Sequence, residues 1–300
     1  MRTRFSRLAV ASAFAASLLI SGQVQRNHTV DLEGRYPNAG ALLITATADN
    51  PVGIPPGVVA HCSGVLIHSR ALLTTGHCTG PGSPGLPPFI KVFVSFAPNV
   101  GDTSTWIPVR NQVTHFSLPP CPPPAGCDPT VTGAFRAGDP SVTDLGLVIL
   151  EKPVDGIKPA KLAPLDSLER NRAEDVAMAT VGYGVLTPPP PGEPLDLTSW
   201  DRLRKFRTSP LDRILNDQWA SWQLPSAVCF GDSGAPTFLN LHRKGHPNQD
   251  RVVAIASDGG IDCVRPDIRV RVDTRAAREW IRTTIRQQLG AEIDIEGDDR

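Results

Sequence analysis

The sequence predicts an all-β protein, a barrel or a sandwich, with one helix near its C-terminal end. From Tyr36 onward, short apolar runs alternate with clusters of Gly, Pro, Asn and Asp through both halves of the chain. The 300 residues include 30 prolines and 26 glycines but 2 methionines, which favours strands and loops over helical bundles. Many short strands with turns between them are typical of barrels and sandwiches.

Apolar runs of strand length recur along the whole chain. They cover residues 41–47, 64–67, 71–75, 90–95, 145–150, 176–181, 235–239, 252–256 and 268–272. The segment from Thr274 to Leu289 is predicted as a helix, because its apolar side chains share one face and Gly290 can end it. We expect surface loops at 50–59, 80–88, 119–129 and 188–191, where Gly and Pro are concentrated.

The N-terminal residues have the pattern of an export signal. Three arginines precede an apolar stretch from Leu8 to Ile20, whose length suits a signal peptide better than a membrane span. We therefore predict a signal peptide over residues 1–24, cleaved between 21 and 28, and a secreted, extracellular protein. An uncleaved membrane anchor is the alternative.

The charge balance excludes some classes of partner. Lys and Arg together number 30, as do Asp and Glu, so neither a nucleic acid nor a cationic partner is indicated. No later run is long and apolar enough to span a bilayer. We expect a monomer that has no contact with a membrane once the signal is removed.

The six cysteines form an even set, as expected of disulfides in an exported protein. The close-range candidates for pairing are Cys62 with Cys78, Cys121 with Cys127, and Cys229 with Cys263, although sequence alone leaves other pairings open. Zinc is the competing explanation, but the chain lacks C-x-x-C and paired His/Cys spacings. We therefore predict no metal site and no other cofactor.

The octapeptide Cys229-Phe-Gly-Asp-Ser-Gly-Ala-Pro236 carries the strongest functional signal in the chain. A serine flanked by glycines and preceded by an acid is how a tight turn exposes a hydroxyl nucleophile. The same turn can aim the amide hydrogens of Gly231 and Ser233 at one point, where a carbonyl oxygen would become negative. The octapeptide therefore predicts a nucleophilic serine with an oxyanion hole.

A base and an orienting acid can be assigned to this serine. His77 follows the predicted strand 71–75 and precedes Cys78, so a disulfide would lock its backbone beside a strand end. A neutral imidazole there can take a proton from a hydroxyl and later return it to a leaving group. Asp144 abuts the apolar run 145–150, as expected of a buried carboxylate that holds the imidazole tautomer.

In this order, His77, Asp144 and Ser233 resemble the catalytic residues of the chymotrypsin-like (trypsin-family) serine proteases, and not those of subtilisins or α/β-hydrolases. Four blocks in sequence carry the resemblance, which covers residues 36–290; abundant Arg and Pro with a short export signal fit a bacterial type. They are 62–78 around the histidine, 143–150 around the aspartate, 229–236 around the serine, and 252–266, which resembles the strand and loop that line the substrate pocket.

The resemblance implies two antiparallel six-stranded β-barrels with the active site between them. The expected first barrel, residues 25–155, carries His77 and Asp144, and the second, 156–273, carries Ser233. A helix over 274–290 and an acidic tail over 291–300 would follow. The resemblance also implies that a polypeptide is the substrate, that Gly231 and Ser233 form the oxyanion hole, and that no cofactor takes part.

The chain departs from the family at its N-terminal activation sequence. Family members are commonly cut before an Ile-Val-Gly-Gly-like start, whose new ammonium group pairs with the acid beside the nucleophile, here Asp232. The nearest candidate start is Tyr36, where a following proline disfavours tryptic cleavage after Arg35. We hypothesise that Asp232 is satisfied in another way and that signal removal alone gives an active enzyme.

The residues that match the specificity pocket of the family are Ala227, Val228, Ser257, Gly259 and Asp267. Two predictions compete: a small, mainly apolar pocket, or a preference for Lys and Arg that is directed by Asp267. Asp267 can instead be turned into a structural ion pair with Arg265 or Arg269. Asp258 stands where an aromatic residue is expected, so it either favours cationic substrates or is merely solvated.

The sequence therefore predicts a secreted serine endopeptidase that works through a Ser-His-Asp triad and an acyl-enzyme intermediate. A catalytically inactive protease homologue that acts as a binding protein is the alternative, supported by the missing activation sequence. A secreted esterase with the same triad is a third possibility, which the order of the residues and their flanking blocks disfavour.

Overall fold

A computed structural model of the chain describes residues 28–80, 87–116, 138–140, 142–171, 178–190, 193, 196–223, 228–239, 251–259, 263, 266–293 and 295. The predicted signal peptide, the Cys121–Cys127 pair, Ala227 and Arg265 lie outside these residues. Most of the acidic tail does as well. The described part of the chain forms two β-structures that pack against each other and against a C-terminal helix.

The first β-structure is a closed barrel of antiparallel strands. Its strands are β2 (Ala39–Ala46), β3 (Gly57–His68), β4 (Ala71–Thr74), β5 (Ile90–Ser95), β6 (Ile107–Phe116) and β7 (Asp144–Leu150), which pair in the order β2-β3-β4-β7-β6-β5. Aliphatic side chains fill its interior, among them Leu42, Leu66, Leu72, Val94, Val148 and Leu150. Closure of the barrel leaves none of these strands with an unpaired edge.

The second β-structure is a 9-stranded sheet. It contains β1 (Thr29–Val30), β8 (Lys161–Leu162), β9 (Met178–Gly182), β10 (Lys205–Ser209), β11 (Leu211–Ile214), β12 (Trp219–Trp222), β13 (Pro236–Leu239), β14 (Arg251–Asp258) and β15 (Asp267–Arg271). The order is β1-β10-β9-β13-β14-β15-β12-β11, and β8 pairs with β14 in parallel. Within the described residues this path forms a half-barrel, which together with the closed barrel and the C-terminal helix matches the predicted double-barrel architecture.

The N-terminal strand belongs to the second β-structure. Thr29 pairs with Phe206 and Val30 with Lys205, whereas the expected boundary assigned residues 25–155 to the first barrel. An ion pair lies directly beyond this strand: buried Asp31 binds Arg204, with 2.8 Å between Oδ2 and Nε. This long-range contact holds the start of the described chain against β10.

A shared apolar core joins the two β-structures and the helix α3 (Arg275–Leu289). The barrel contributes Val65, Leu73, Leu147 and Ile149, the sheet contributes Val181, Trp219, Phe238, Ile255 and Val270, and the helix contributes Ala277, Ile281 and Ile285. Gly290 ends α3 in the left-handed conformation that glycine favours. Two helices of one turn, α1 (Gly76–Thr79) and α2 (Ser167–Arg170), lie in the connections.

Two disulfides are formed among the described residues. Cys62 is bonded to Cys78, which ties β3 to α1, and Cys229 is bonded to Cys263, which ties the serine octapeptide to the segment that follows β14. Both are pairings that the sequence predicts. No helix in the described part of the chain is long and apolar enough to cross a membrane.

Candidate active site

The pairing of two barrel strands brings His77 to Asp144. Strand β4 is antiparallel to β7, with Thr74 opposite Gly146. Beyond this pair the chain runs from β4 into α1, which carries His77, while β7 begins at Asp144. The C-terminal end of one strand therefore lies beside the N-terminal end of its neighbour, and this places His77 next to Asp144.

Two hydrogen bonds join the histidine to the carboxylate. The imidazole Nδ1 of His77 lies 2.9 Å from Oδ2 of Asp144, and the backbone N–H of His77 donates to Oδ1 at 2.8 Å. Asp144 is fully buried, whereas 35% of the His77 side chain is exposed. The ring is thus held at Nδ1, and Nε2 is the ring nitrogen that does not bind the carboxylate.

Ser257 is a second side-chain partner of the buried carboxylate. Its hydroxyl donates to Oδ2 of Asp144 at 2.7 Å, from the C-terminal part of β14. The sequence placed Ser257 only in the wall of the substrate pocket, and this bond to the acid was missed. The only signal in the sequence is that a hydroxyl follows a buried apolar run, which is too common to assign a role.

The charges of this cluster stabilise one another. Burial opposes the charged imidazole, but the charge and hydrogen bond of Asp144, with the charge of Asp258, outweigh it and raise the pKa of His77. Burial likewise opposes the Asp144 carboxylate, but the charge and hydrogen bond of His77, with the bond from Ser257, lower the pKa of Asp144. A raised histidine pKa makes a stronger base.

The serine octapeptide folds into a compact turn. The Asp232 N–H donates to the Cys229 carbonyl at 2.9 Å, and the Ala235 N–H donates to the Asp232 carbonyl at 2.8 Å. Gly231 has a φ of 90°, a conformation that side chains with a Cβ rarely adopt. Ser233 remains partly exposed at the tip of this turn.

The Cys62–Cys78 disulfide lies close to both His77 and the backbone of Ser233. The Ser233 carbonyl accepts the N–H of Ser63 at 2.7 Å, and it lies 3.8 Å from the sulfur of Cys78. A ring nitrogen of His77 lies within 4.8 Å of both sulfurs. The imidazole from the barrel and the serine backbone from the second sheet therefore lie against the same disulfide.

The two sulfurs and the imidazole are close enough to be considered as metal ligands. They are the group of His, Cys and acidic side chains in the described part of the chain whose ligand atoms could share an ion. Both sulfurs are covalently joined to each other, so neither can supply the thiolate that a metal requires. The cluster therefore offers one imidazole and no metal site.

Asp267, the acid expected to direct a preference for Lys or Arg, is engaged elsewhere. It is fully buried, its Oδ2 lies 2.8 Å from Nη2 of Arg269, and its Oδ1 accepts the N–H of Val228 at 3.1 Å. Of the alternatives left open by the sequence, this is the structural ion pair, with Arg269 as partner. Val228 is buried beside it, and Gly259 is partly exposed.

Comparison with solved structures finds a clear likeness to HL collagenase, a chymotrypsin-like serine protease. The two align with a TM-score of 0.56 over 89% of this chain and 99% of that one. The chain has the chymotrypsin-like fold. At 17% sequence identity the likeness concerns the fold alone. No protein-family model matches the sequence, and no curated protein matches it.

Within this chymotrypsin-like fold the candidate residues come from both halves. Asp144 begins barrel strand β7 and His77 follows barrel strand β4, whereas Ser257 lies on β14 of the second sheet and Ser233 lies in the turn before β13. The hydrogen bonds from Ser63 to Ser233 and from Ser257 to Asp144 each cross between the two halves. The relative position of Ser233 and His77 therefore depends on how the barrel and the sheet pack.

Proposed function

We propose that the protein is a secreted serine endopeptidase with Ser233 as nucleophile, His77 as base and Asp144 as orienting acid. The observation that carries this proposal is the buried Asp144 carboxylate, which is bound by His77 at Nδ1 and by the Ser257 hydroxyl beside the serine turn. The chymotrypsin-like fold and the two disulfides support it. Disulfides are typical of exported proteins.

The proposed reaction proceeds in two acyl-transfer steps. The Ser233 hydroxyl oxygen attacks the carbonyl carbon of the peptide while Nε2 of His77 takes its proton, and the amide hydrogens of Gly231 and Ser233 stabilise the oxyanion. His77 then returns the proton to the leaving amine, which leaves an acyl-enzyme. Water attacks this ester by the same route, with His77 again acting as base.

Throughout both steps Asp144 stays ionised and stabilises the imidazolium that forms on His77. Its lowered pKa fits this role, since the carboxylate remains charged over a wider pH range. The raised pKa of His77 implies that activity is lost as pH falls, because the protonated imidazole cannot accept the serine proton.

The test of this function is covalent labelling of the serine. We expect a fluorophosphonate probe to modify the wild-type protein at Ser233 and to leave Ser233→Ala unmodified, as identified by mass spectrometry of the tryptic peptide. The same wild-type protein is expected to cleave peptide amides, with the variant lower in kcat by about 10⁴-fold or more.

His77→Ala provides the matched control. It retains the serine but lacks the base, so probe labelling should slow sharply without a change in fold by circular dichroism. A wild-type protein that folds but neither labels nor cleaves would identify the inactive binding homologue. Labelling together with ester hydrolysis but no peptide cleavage would indicate the esterase.

We further propose that the side chain before the cleaved bond is apolar. The carboxylate of Asp267 is neutralised by Arg269 and hydrogen-bonded to Val228, so the ion pair presents no net charge to a substrate. A peptide-library cleavage profile is expected to favour apolar residues, and Asp267→Asn should not change this preference. A profile dominated by Lys and Arg would contradict the proposal.

A further inference from the structure

The acid beside the nucleophile, Asp232, is buried against a neighbouring loop. It is 7% exposed, its Oδ1 accepts the N–H of Gly184 at 2.8 Å, and its Oδ2 accepts the N–H of Cys229 at 3.1 Å. Its backbone joins Gly231 to Ser233, so a shift of the Asp232 backbone moves both amides of the proposed oxyanion hole. The position of Asp232 therefore bears directly on catalysis.

Two glycines make room for this carboxylate. A Cβ on Gly182 would lie 2.2 Å from Oδ1 of Asp232, and a Cβ on Gly184 would lie 2.3 Å from Oδ2. Real side chains do not tolerate such distances, so the carboxylate occupies space that the absence of two side chains creates. The seat of Asp232 is thus formed by the end of β9 and the residues that follow it.

Arg207 supplies a positive charge to this seat. Its Nη2 lies 3.6 Å from Oδ2 of Asp232, and its side chain is 6% exposed. Strand β10 places it opposite Thr180 of β9, so it approaches the carboxylate from the adjacent strand. Its Nη1 donates to Nδ1 of His28 at 2.8 Å, which fixes the other arm of the guanidinium. A small cavity beside the pair is lined by His28, Arg207 and Asp232.

The backbone around the candidate start Tyr36 is hydrogen-bonded to a different acid, Asp31. The backbone N–H groups of Arg35 and Tyr36 donate to Asp31 at 2.7 and 3.0 Å, and Arg204 completes this cluster. The uncut chain upstream pairs with β10 through Thr29 and Val30. In this arrangement the guanidinium of Arg207 is paired with Asp232, whereas the Tyr36 amide is hydrogen-bonded to Asp31.

We propose that Arg207 is a positioning residue that holds the nucleophile turn through Asp232, so that the active arrangement needs no ammonium group from cleavage of the chain. This inference rests on the proposed function. A buried carboxylate that loses its cation is strongly destabilised. Without Arg207 the Asp232 side chain turns to solvent and carries the amides of Gly231 and Ser233 away from the substrate.

The principal test compares Arg207→Met with Lys205→Met. Lys205 lines the same cavity and is equally buried, but its ammonium group is paired with Asp201 at 2.5 Å. We expect Arg207→Met to lower kcat by about 10²-fold or more, with a smaller change in KM, because the oxyanion hole is displaced. Lys205→Met should keep a kcat close to that of wild type. Equal kcat values for wild type and Arg207→Met would overturn the proposal.

A second measurement separates positioning from general packing. Arg207→Ala enlarges the existing cavity, and millimolar guanidinium chloride should restore part of its activity by replacing the lost cation. The same salt should leave Lys205→Ala and wild type unchanged. Arg207→Lys, which keeps the charge but loses the planar fork, is expected to fall between wild type and Arg207→Met. An Arg207→Ala protein that folds but is not rescued contradicts the role of the charge.

Hydrogen exchange tests the inference even if the protein proves inactive. Amides of the peptide that spans residues 228–235 should exchange faster in Arg207→Met than in wild type, and not in Lys205→Met. Faster exchange without any probe labelling of wild type would uphold the role of Arg207 and refute the peptidase function. Labelling and cleavage by wild type, with unchanged exchange and activity in Arg207→Met, would refute the role of Arg207 alone.

Discussion

The closed barrel and the second sheet bury different chemistry. Barrel strands enclose aliphatic side chains, and their buried ionisable residues, within the part of the chain that the structure describes, are His61 and Asp144, which take part in the candidate site or adjoin it. The second sheet buries charged side chains along its strands, namely Lys205, Arg207, Asp267, Arg269 and Arg271. Both halves are stabilised by apolar contacts, and in the described part of the chain the sheet adds ion pairs that involve buried strand residues.

Arg269 shows how the sheet uses a buried charge. Its guanidinium pairs with Asp267, donates to the hydroxyls of Thr180 and Thr237, and lies 4.4 Å from the ring centre of Trp222. These partners come from four different strands. Buried ion pairs are poor sources of net stability but costly to break, so they select one arrangement of strands over others. The strand arrangement of the second sheet is thus specified by charge, and that of the barrel by the shape of its apolar side chains.

Breaking the Arg269 pair should have the largest effect on stability. Arg269→Met leaves the Asp267 carboxylate buried without its cation, and we expect the free energy of unfolding to fall by about 3–5 kcal/mol. Urea denaturation followed by tryptophan fluorescence measures this change, since Trp222 and Trp219 lie on the adjacent strand β12.

A double variant distinguishes the lost charge from lost packing. Asp267→Asn with Arg269→Met removes both charges but keeps an acceptor for the Val228 N–H, so much of the stability should return. Leu72→Ala in the barrel core, by contrast, should cost about 2–5 kcal/mol through an empty cavity, which no change of charge can repair. If the double variant is no more stable than Arg269→Met, the contrast between charge and shape is wrong.

Buried His61 lies on a barrel strand and contacts residues of the second half, and its titration makes stability depend on pH. It lies on β3, stacks on Trp200 with 3.8 Å between ring centres, and approaches Gly231 so closely that a Cβ there would lie 1.9 Å from its Nε2. Neither ring nitrogen has a hydrogen-bond partner within the described structure. Burial lowers the pKa of His61 to about 4, although the charge of Asp232 partly opposes this.

The lowered pKa predicts a loss of stability in acid. Between pH 6.5 and about 4 the unfolded chain binds a proton at His61 that the folded protein does not, so stability falls as pH falls through this window. The full effect is about 3 kcal/mol, from a shift of about 2.5 pH units. Unfolding free energies measured at intervals from pH 7 to pH 4 should reveal this slope.

His61→Leu is the matched control, because it keeps an apolar side chain of similar size against Trp200. The slope between pH 6.5 and 4 should become shallower in this variant by the contribution of His61. Asp144 does not interfere: because its pKa is lowered, the stability that it contributes is lost at more acidic pH than this window. His77 does not interfere either: because its pKa is raised, the stability that it contributes is lost as pH rises above 6.5. An unchanged slope would show that His61 is not the buried group responsible.

Local pattern predicted five of the six barrel strands but missed β6 and several strands of the second sheet. The predicted strands 90–95 and 145–150 correspond to β5 and β7, whose residues are largely apolar. Strands β10 and β12 were missed, because Lys205 and Arg207 interrupt the apolar pattern of the first and the second is short. Charged residues ordinarily face solvent, and only partners from other strands make them part of a core.

The roles around the serine divide in the same way. The octapeptide, its proposed base His77 and the acid Asp144 could be selected from sequence, because each depends on a turn or a strand end that neighbouring residues specify. The hydroxyl of Ser257 and the guanidinium of Arg207 could not, since their partners are brought to them by strand pairing between distant segments.

Sequence by itself therefore predicted the chymotrypsin-like fold class, proposed the pairing of the two described disulfides, and selected the candidate nucleophile, base and acid. Tertiary structure alone decided which cation meets Asp232, that Asp267 is neutralised by Arg269, and that β1 belongs to the second sheet. The physical reason is the separation along the chain between the residues that interact. A turn or an apolar run is specified by the few residues that form it, whereas the partner of a buried charge depends on the register of strands that are far apart in the chain.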